Sequence, residues 1–165
     1  MTPSMMLVRA GARSALVAAF RRLGVVSVNW DLLGDLTDVH SADEITHLVT
    51  AAYSTGPTWR PSKHYLEIAD FVLGLPAGTL VLTVDTTART LLVGTVVGPY
   101  EYWPKSALIE EGRPHRHVHE VDWQYEINRD DLDADALRDI DQRKTAYWLR
   151  PHTVAAITSA RRTGN

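Results

Sequence analysis

The stretch from Thr79 to Ile127 places the strongest constraint on the fold of this chain. It opens with Leu80–Val84, and after a polar turn a second apolar, β-branched run follows at Leu91–Val97. Two such runs joined by a short polar turn are typical of paired strands. A Gly-Pro break leads into Tyr100–Trp103, and Val118–Trp123 alternates in a way that favours pairing with the preceding strand. The stretch therefore predicts the wall of a small β-barrel.

Helices and further short strands flank this wall. Strands are predicted at Met5–Ala10, Val25–Trp30 and Thr145–Leu149, and apolar residues at helical spacing predict helices between them. Ser41 with Glu44 three residues later forms a capping-box pattern, which starts one of these helices. The predicted fold class is therefore α+β, with about five to seven strands in a small barrel and flanking helices. We expect a single domain over residues 1–160 and a frayed tail at 161–165.

The composition limits the classes of function. The chain has 165 residues and no cysteine, so disulfides, thiolate metal sites and a cysteine nucleophile are excluded. No apolar stretch approaches the roughly 20 residues that cross a bilayer, and no signal-peptide layout is present, so we expect a cytoplasmic location and no membrane partner. The net charge of −3 argues against bulk electrostatic coating of DNA. Basic residues nevertheless concentrate in four segments: Arg9–Arg22, Arg60–His64, Arg113–His119 and Arg143–Arg150.

The order of several sequence segments resembles a known family. A first strand in VRAG, a strand ending in Asn-Trp, and the runs LPAGTLVLTVD, LLVGTVVGPYEY and HVHEVDW follow one another. This order resembles the EVE-like domain at the N-terminus of bacterial Mrr-type (type IV) restriction endonucleases, over about Leu7 to Ile157. That domain belongs to the PUA-like superfamily, together with the EVE, YTH, ASCH and SRA domains. In the restriction enzymes a nuclease domain follows, so this chain is either a stand-alone reader or part of a longer protein.

The resemblance implies a barrel with a base-sized pocket on one side. Several superfamily members flip a modified base, such as a methylated cytosine or adenine, into an aromatic cage. We therefore expect a non-catalytic reader of methylated DNA, with 5-methylcytosine as the first candidate base. The alternative is an RNA-binding PUA/YTH-like module that recognises a modified or unpaired base, and a third possibility is a protein-interaction or small-ligand domain. The expected partners are methylated DNA, bound with modest affinity, and a nuclease domain or protein in trans; no cofactor is expected.

Aromatic and basic residues supply the candidate site. Trp30 ends a predicted strand and leads the candidates, because stacking on an aromatic ring stabilises a base by roughly 1–3 kcal/mol. The full set for the pocket is Trp30, Trp59, Tyr100, Trp123, Ser62, Tyr65 and Tyr102. The set for phosphate contacts is Lys63, His64, Arg60, Arg116 and His119. Each tryptophan has a core position as its alternative, and Ser62 has simple helix capping.

A His-x-His-x-His pattern at His115, His117 and His119 places three imidazoles on one strand face. Imidazoles at this spacing can bind a metal, but no carboxylate or fourth ligand is evident, so we expect no metal. We expect His117 to pack beside the pocket. The chain also lacks the sequence patterns of a nucleophile elbow, a P-loop and a zinc protease, and we predict no enzymatic activity.

Overall fold

The computed structural model describes residues 3–59 and 64–163. Within these ranges the strands are β1 (Met5–Val8), β2 (Val25–Val28), β3 (Leu80–Asp85), β4 (Thr90–Val96), β5 (Glu101–Tyr102), β6 (Ile109–Glu110), β7 (Arg113–Pro114), β8 (His117–Asn128) and β9 (Ala146–Trp148). The helices are α1 (Val17–Leu23), α2 (Ala42–Tyr53), α3 (His64–Leu73), α4 (Ala134–Ile140) and α5 (Pro151–Thr163). None of the helices in these ranges is both long and apolar enough to cross a membrane.

One curved sheet forms the centre of the molecule. Its strand order is β2-β8-β4-β3-β1-β9, and β5 also pairs with β8. The neighbours are antiparallel except for β1 and β3, which are parallel. The start of β8 lies between β2 and β5, whereas its end pairs with β4. The predicted α+β class, with a barrel-like sheet and flanking helices, is confirmed.

Both faces of the sheet are covered, as the alternation along β1 illustrates. Met6 contributes to a core with α1, α2 and α3, whereas Met5 contributes to a second core with α4, β9 and α5. All four residues of β1 are buried because helices cover both faces at this strand. The four-residue apolar run is thus explained by the central position of the strand.

A β-bulge changes the face that β8 presents. The register between β4 and β8 shifts between Val93 and Gly94, so Trp123 packs against the first core and Tyr125 against the second. A side chain at Gly94 would lie 2.6 Å from the carbonyl oxygen of Asp122. Glycine is therefore required for the close approach of the two strands.

The sequence patterns predict correctly a feature that depends on a hydrogen bond between residues close in the chain. Ser41 caps α2, with its side-chain oxygen accepting from the Glu44 N–H at 3.2 Å. Other boundaries differ from the prediction: β8 continues to Asn128, and α5 continues to Thr163, so residues 161–163 are helical. Strand β2 ends at Val28, which leaves Trp30 in the loop beyond it.

Candidate functional site

The backbone of Trp30 adopts a conformation that non-glycine residues rarely take. Its φ angle is +32°, in the left-handed region. The Trp30 carbonyl oxygen accepts two hydrogen bonds, from the Leu33 N–H at 2.9 Å and from Nε2 of His117 at 3.2 Å. These bonds hold the backbone of the loop after β2, from which the indole ring extends.

His117 connects Trp30 to a buried hydrogen-bond chain. Because Nε2 faces a carbonyl oxygen it carries the proton, which leaves Nδ1 to accept from the Tyr100 hydroxyl at 2.6 Å. The same hydroxyl accepts from the Leu36 N–H at 3.3 Å. Burial lowers the pKa of His117 and raises the pKa of Tyr100, so both groups are neutral at pH 7. The chain is thus satisfied without buried charge.

Two half-buried aromatic rings lie on opposite sides of this imidazole. Trp30 lies 6.0 Å from the His117 ring and meets Phe71 edge to face at 5.7 Å. Tyr102 lies 5.6 Å from His117 on the other side, because β2 and β5 both pair with the start of β8. We call Trp30 and Tyr102, with His117 between them, the Trp30 platform. Partly exposed rings on a rigid support are suited to stacking against a base.

A polar cleft begins one residue before Trp30. Its volume is about 730 Å³. The residues that line it are Arg9, Gly11, Ala12, Asn29, Glu110, His115, Asp141, Gln142, Arg143, Lys144 and Thr145. The cleft thus lies between the end of β1, the loop after β2, strand β6 and the loop between α4 and β9, and its size matches sites for small ligands or single nucleotides.

One wall of the cleft is cationic and is ordered by Arg9. The Arg9 guanidinium donates to the carbonyl oxygens of Ile140 and Gln142, both at 2.6 Å, and to that of Lys144 at 3.2 Å. Carbonyl partners orient the guanidinium without neutralising its charge. Arg143 and Lys144 follow on the same loop and are exposed. This wall offers fixed positive charge to an anion.

The opposite wall is built around Glu110. Its carboxylate accepts from the Ala12 N–H at 2.5 Å and pairs with Nε2 of His115 at 2.9 Å. Burial alone would raise the pKa of Glu110, but these hydrogen bonds hold the pKa below its ordinary value. A side chain at Gly11, where φ is +75°, would lie 2.9 Å from the Glu110 carboxyl carbon. Glycine therefore makes room for the carboxylate at the cleft.

Ser27, His115 and Glu110 form a linked trio that superficially resembles a hydrolytic triad. The Ser27 hydroxyl lies 2.9 Å from Nδ1 of His115. Ser27 is 0% exposed, so no substrate reaches its oxygen. A triad also requires the serine to be free to attack and the imidazole to shuttle its proton. The trio is better explained as a support that fixes Glu110.

The structure corrects three of the predicted roles. Tyr100 is buried, with its hydroxyl bonded internally, so it supports the Trp30 platform from beneath rather than forming an open pocket wall. Trp123 donates its indole N–H to the Phe20 carbonyl oxygen at 2.9 Å, and it lies six residues beyond His117, on the order of 20 Å along an extended strand. His119 is 1% exposed and cannot reach a phosphate.

His115, His117 and His119 each form hydrogen bonds with a different part of the chain. Nε2 of His119 donates to the Phe71 carbonyl oxygen at 2.7 Å, which satisfies one of the free carbonyls at the end of α3. Burial lowers the pKa of His119 as well.

In the part of the chain that the structure describes, no group of three or more histidine, aspartate and glutamate side chains is placed to hold a metal.

The remaining predicted residues are distributed as follows. Trp59 and Tyr65 are half-buried and pack against the same core as Trp30. Arg116 is half-buried and follows the cleft residue His115. Arg60, Ser62 and Lys63 lie outside the described residues, as does the side chain of His64.

Several residues of the site were not predicted from the sequence. Arg9, Asn29, Glu110, His115 and Lys144 line the cleft, but nothing in their local sequence indicates that they meet. The contacts of Arg9 span more than 130 residues of the chain. Only the basic segment from Arg143 and the histidine pattern indicated these parts of the cleft in the sequence. Neither pattern shows which distant residues the side chains would meet.

The α+β fold with its curved sheet is similar to the fold of YTH domains. The chain belongs to the family described as a domain of unknown function, DUF8426, whose model matches residues 5–150. No curated protein matches the chain in sequence.

Solved structures of YTH domains share the fold at low sequence identity. A crystal structure of the Mmi1 YTH domain superposes with a TM-score of 0.52 at 9% identity, over 98% of this chain and 90% of that one. A complex of the YTH domain-containing protein mmi1 with RNA gives 0.50 at 11% identity, over 99% and 87%. The YTH domain of Zygosaccharomyces rouxii MRB1 with N6-methyladenosine RNA gives 0.49 at 10%, over 95% and 85%. At such identities the likeness shows the fold alone.

Proposed function

We propose that this domain is a non-catalytic reader that binds single-stranded RNA and places one base against the Trp30 platform. The observation that carries the proposal is the adjacency of two features. Asn29 lines the polar cleft, and Trp30, whose carbonyl oxygen is held by His117, follows it directly. The loop after β2 therefore connects the nucleotide-sized polar cleft to the residue that carries the stacking ring.

The chemistry of the two features suits an unpaired nucleotide. Proteins recognise single-stranded RNA by stacking splayed bases on aromatic rings and by hydrogen bonds to their edges and to the ribose. The Asn29 amide and the Glu110 carboxylate provide hydrogen-bonding groups, and Arg143 with Lys144 provides charge for the phosphate. The fold likeness to a YTH protein solved in complex with RNA favours RNA as the ligand class.

Methylated DNA is the second candidate. It rests on the resemblance to the N-terminal domain of Mrr-type restriction endonucleases that was expected from the sequence alone, and a flipped 5-methylcytosine would then take the place of the RNA base. Extrusion from a duplex costs a few kcal/mol, which an unpaired RNA base does not incur. A partner nuclease would act with this domain under that alternative.

A binding panel separates the two candidates. Fluorescence anisotropy at low salt would compare unmodified single-stranded RNA, the same RNA with one N6-methyladenosine, and duplex DNA with and without 5-methylcytosine. We expect both RNAs to bind more tightly than either duplex. Tighter binding of the methylated duplex than of any RNA would establish the second candidate instead. No binding of any of the four would exclude both.

A further inference from the structure

A second groove adjoins the polar cleft at Lys144. It lies between α3 and the edge strand β9 and has a volume of about 280 Å³. We call it the Trp148 groove, and its lining residues are Leu66, Glu67, Asp70, Lys144, Ala146, Tyr147 and Trp148. Lys144 lines both cavities, which places them next to each other on the surface.

The Trp148 groove offers an apolar surface at its rim. Trp148 is half-buried, and Leu66 on the facing helix is 46% exposed. An indole face opposite an exposed leucine side chain leaves a slot for a flat, uncharged group. Bases are such groups, and stacking on an aromatic ring is tolerant of base identity.

Two carboxylates line the groove. Glu67 accepts from the Thr145 N–H at 3.1 Å, which satisfies a backbone donor at the start of the edge strand. Burial raises the pKa of Asp70, which lines the groove together with Trp148. These carboxylates repel a phosphate placed inside the groove, whereas they tolerate a neutral base that carries amino groups.

Lys144 lies where the groove meets the polar cleft and supplies a positive charge beside the two carboxylates. It is exposed, and its Nζ lies 5.6 Å from the centre of the Tyr147 ring. The Arg9 hydrogen bond to its carbonyl oxygen fixes the backbone at this point. A phosphate that links one nucleotide in the cleft to another in the groove would pass this ammonium group.

We propose that the Trp148 groove is a second nucleotide subsite, in which the base next to the cleft-bound nucleotide lies on Trp148 while the connecting phosphate contacts Lys144. The proposal rests on the proposed RNA-binding function. It extends the site from a single-base pocket to a track that runs from the Trp30 platform through the polar cleft to β9.

The test uses a matched pair of substitutions on α3. Leu66→Asp places a charge in the groove, whereas Leu73→Asp places the same charge at a residue of the same helix that is 42% exposed and does not line the groove. Affinities would be measured for a longer single-stranded RNA and for a mononucleotide. We expect Leu66→Asp to weaken binding of the longer RNA by at least about fivefold, the lower end of one stacked base. Leu73→Asp should leave it unchanged, and neither should affect the mononucleotide.

A second variant removes the aromatic face itself. Trp148→Leu keeps an apolar side chain against the core, and thermal unfolding would verify that it folds. It should cause the same selective loss for the longer RNA. Equal affinity of Leu66→Asp and Leu73→Asp for the longer RNA, with wild-type binding intact, overturns the second subsite and leaves the proposed function standing. Failure of the wild-type protein to bind RNA overturns both.

Discussion

At the scale of single residues, the account depends on how Trp30 is held. Left-handed backbone costs a non-glycine residue about 1–2 kcal/mol. The conformation is maintained because the Trp30 carbonyl oxygen receives hydrogen bonds from Leu33 and His117, and because His117 is in turn bonded to Tyr100. The residue that presents the stacking ring is therefore positioned by groups that are themselves buried.

Removing the Tyr100 hydroxyl tests this chain of hydrogen bonds. Tyr100→Phe leaves Nδ1 of His117 and the Leu36 N–H without their partner, so we expect the free energy of unfolding to fall by about 1–3 kcal/mol in urea titrations. Tyr102→Phe is the matched control, since Tyr102 is half-buried on the neighbouring strand. Equal stability of Tyr100→Phe and the wild type would show that the chain of bonds contributes nothing.

The buried histidines predict how stability depends on pH. Burial lowers the pKa values of His117 and His119 in the folded protein, so the unfolded chain binds more protons at mildly acidic pH. The free energy of unfolding should therefore decrease as pH falls below the unfolded histidine pKa of about 6.5. Urea titrations between pH 7.5 and pH 5 would measure this decrease, which should be smaller in His117→Gln. A flat profile would contradict the assignment of neutral, buried imidazoles.

At the scale of elements, the bulge in β8 determines which aromatic residues face which core. Gly94 permits it, since a Cβ there would meet Asp122, Val121 and Trp123 at 2.6–2.9 Å. Gly94→Ala should lower the free energy of unfolding by about 1–3 kcal/mol through overpacking. Gly34→Ala is the control, because nothing lies within 4 Å of a Cβ at that position. Comparable stability of the two variants would show that the strands can separate at the bulge without cost.

The sequence predicts the elements better than it predicts the site. Ser41 and β1 follow local rules, since a cap bonds three residues ahead and an apolar run indicates burial on both faces. The face shared by His115, His117 and His119 also follows from strand periodicity. Their partners do not, because the Phe71 and Trp30 carbonyls come from distant elements and are indistinguishable from other backbone groups before folding. Because the carbonyl partner of His119 could not be recognised from the sequence, His119 was predicted to contact a phosphate.

At the scale of the whole molecule, the proposed RNA binding requires a chain of net charge −3 to present its positive charge on one face. The cationic wall of the cleft, with Arg143 and Lys144 exposed, provides such a face. The acidic residues near it are paired elsewhere, as Asp141 is with Arg129. The proposed RNA site would therefore combine modest electrostatic attraction with stacking.

The dependence of RNA binding on salt measures this balance. Each phosphate contact in a single strand contributes about −0.7 to the slope of log K against log salt, so two contacts predict a slope of about −1 to −2. Arg143→Ala should reduce the slope by about 0.7. Arg138→Ala removes the same charge from the surface of α4, where Arg138 pairs with Asp135, and should leave the slope unchanged. Equal slopes for the two variants would place the phosphate contacts elsewhere.

Under the proposed function Trp30 contacts the bound base, and one comparison of variants tests this contact. RNA affinity would be measured by anisotropy for Trp30→Ala and for Leu32→Ala, a residue of the same loop that is 60% exposed. We predict that Trp30→Ala weakens binding by at least about fivefold, the lower end of the stacking contribution, while thermal unfolding remains cooperative. Leu32→Ala should bind like the wild type. Wild-type affinity in a folded Trp30→Ala variant would contradict the account.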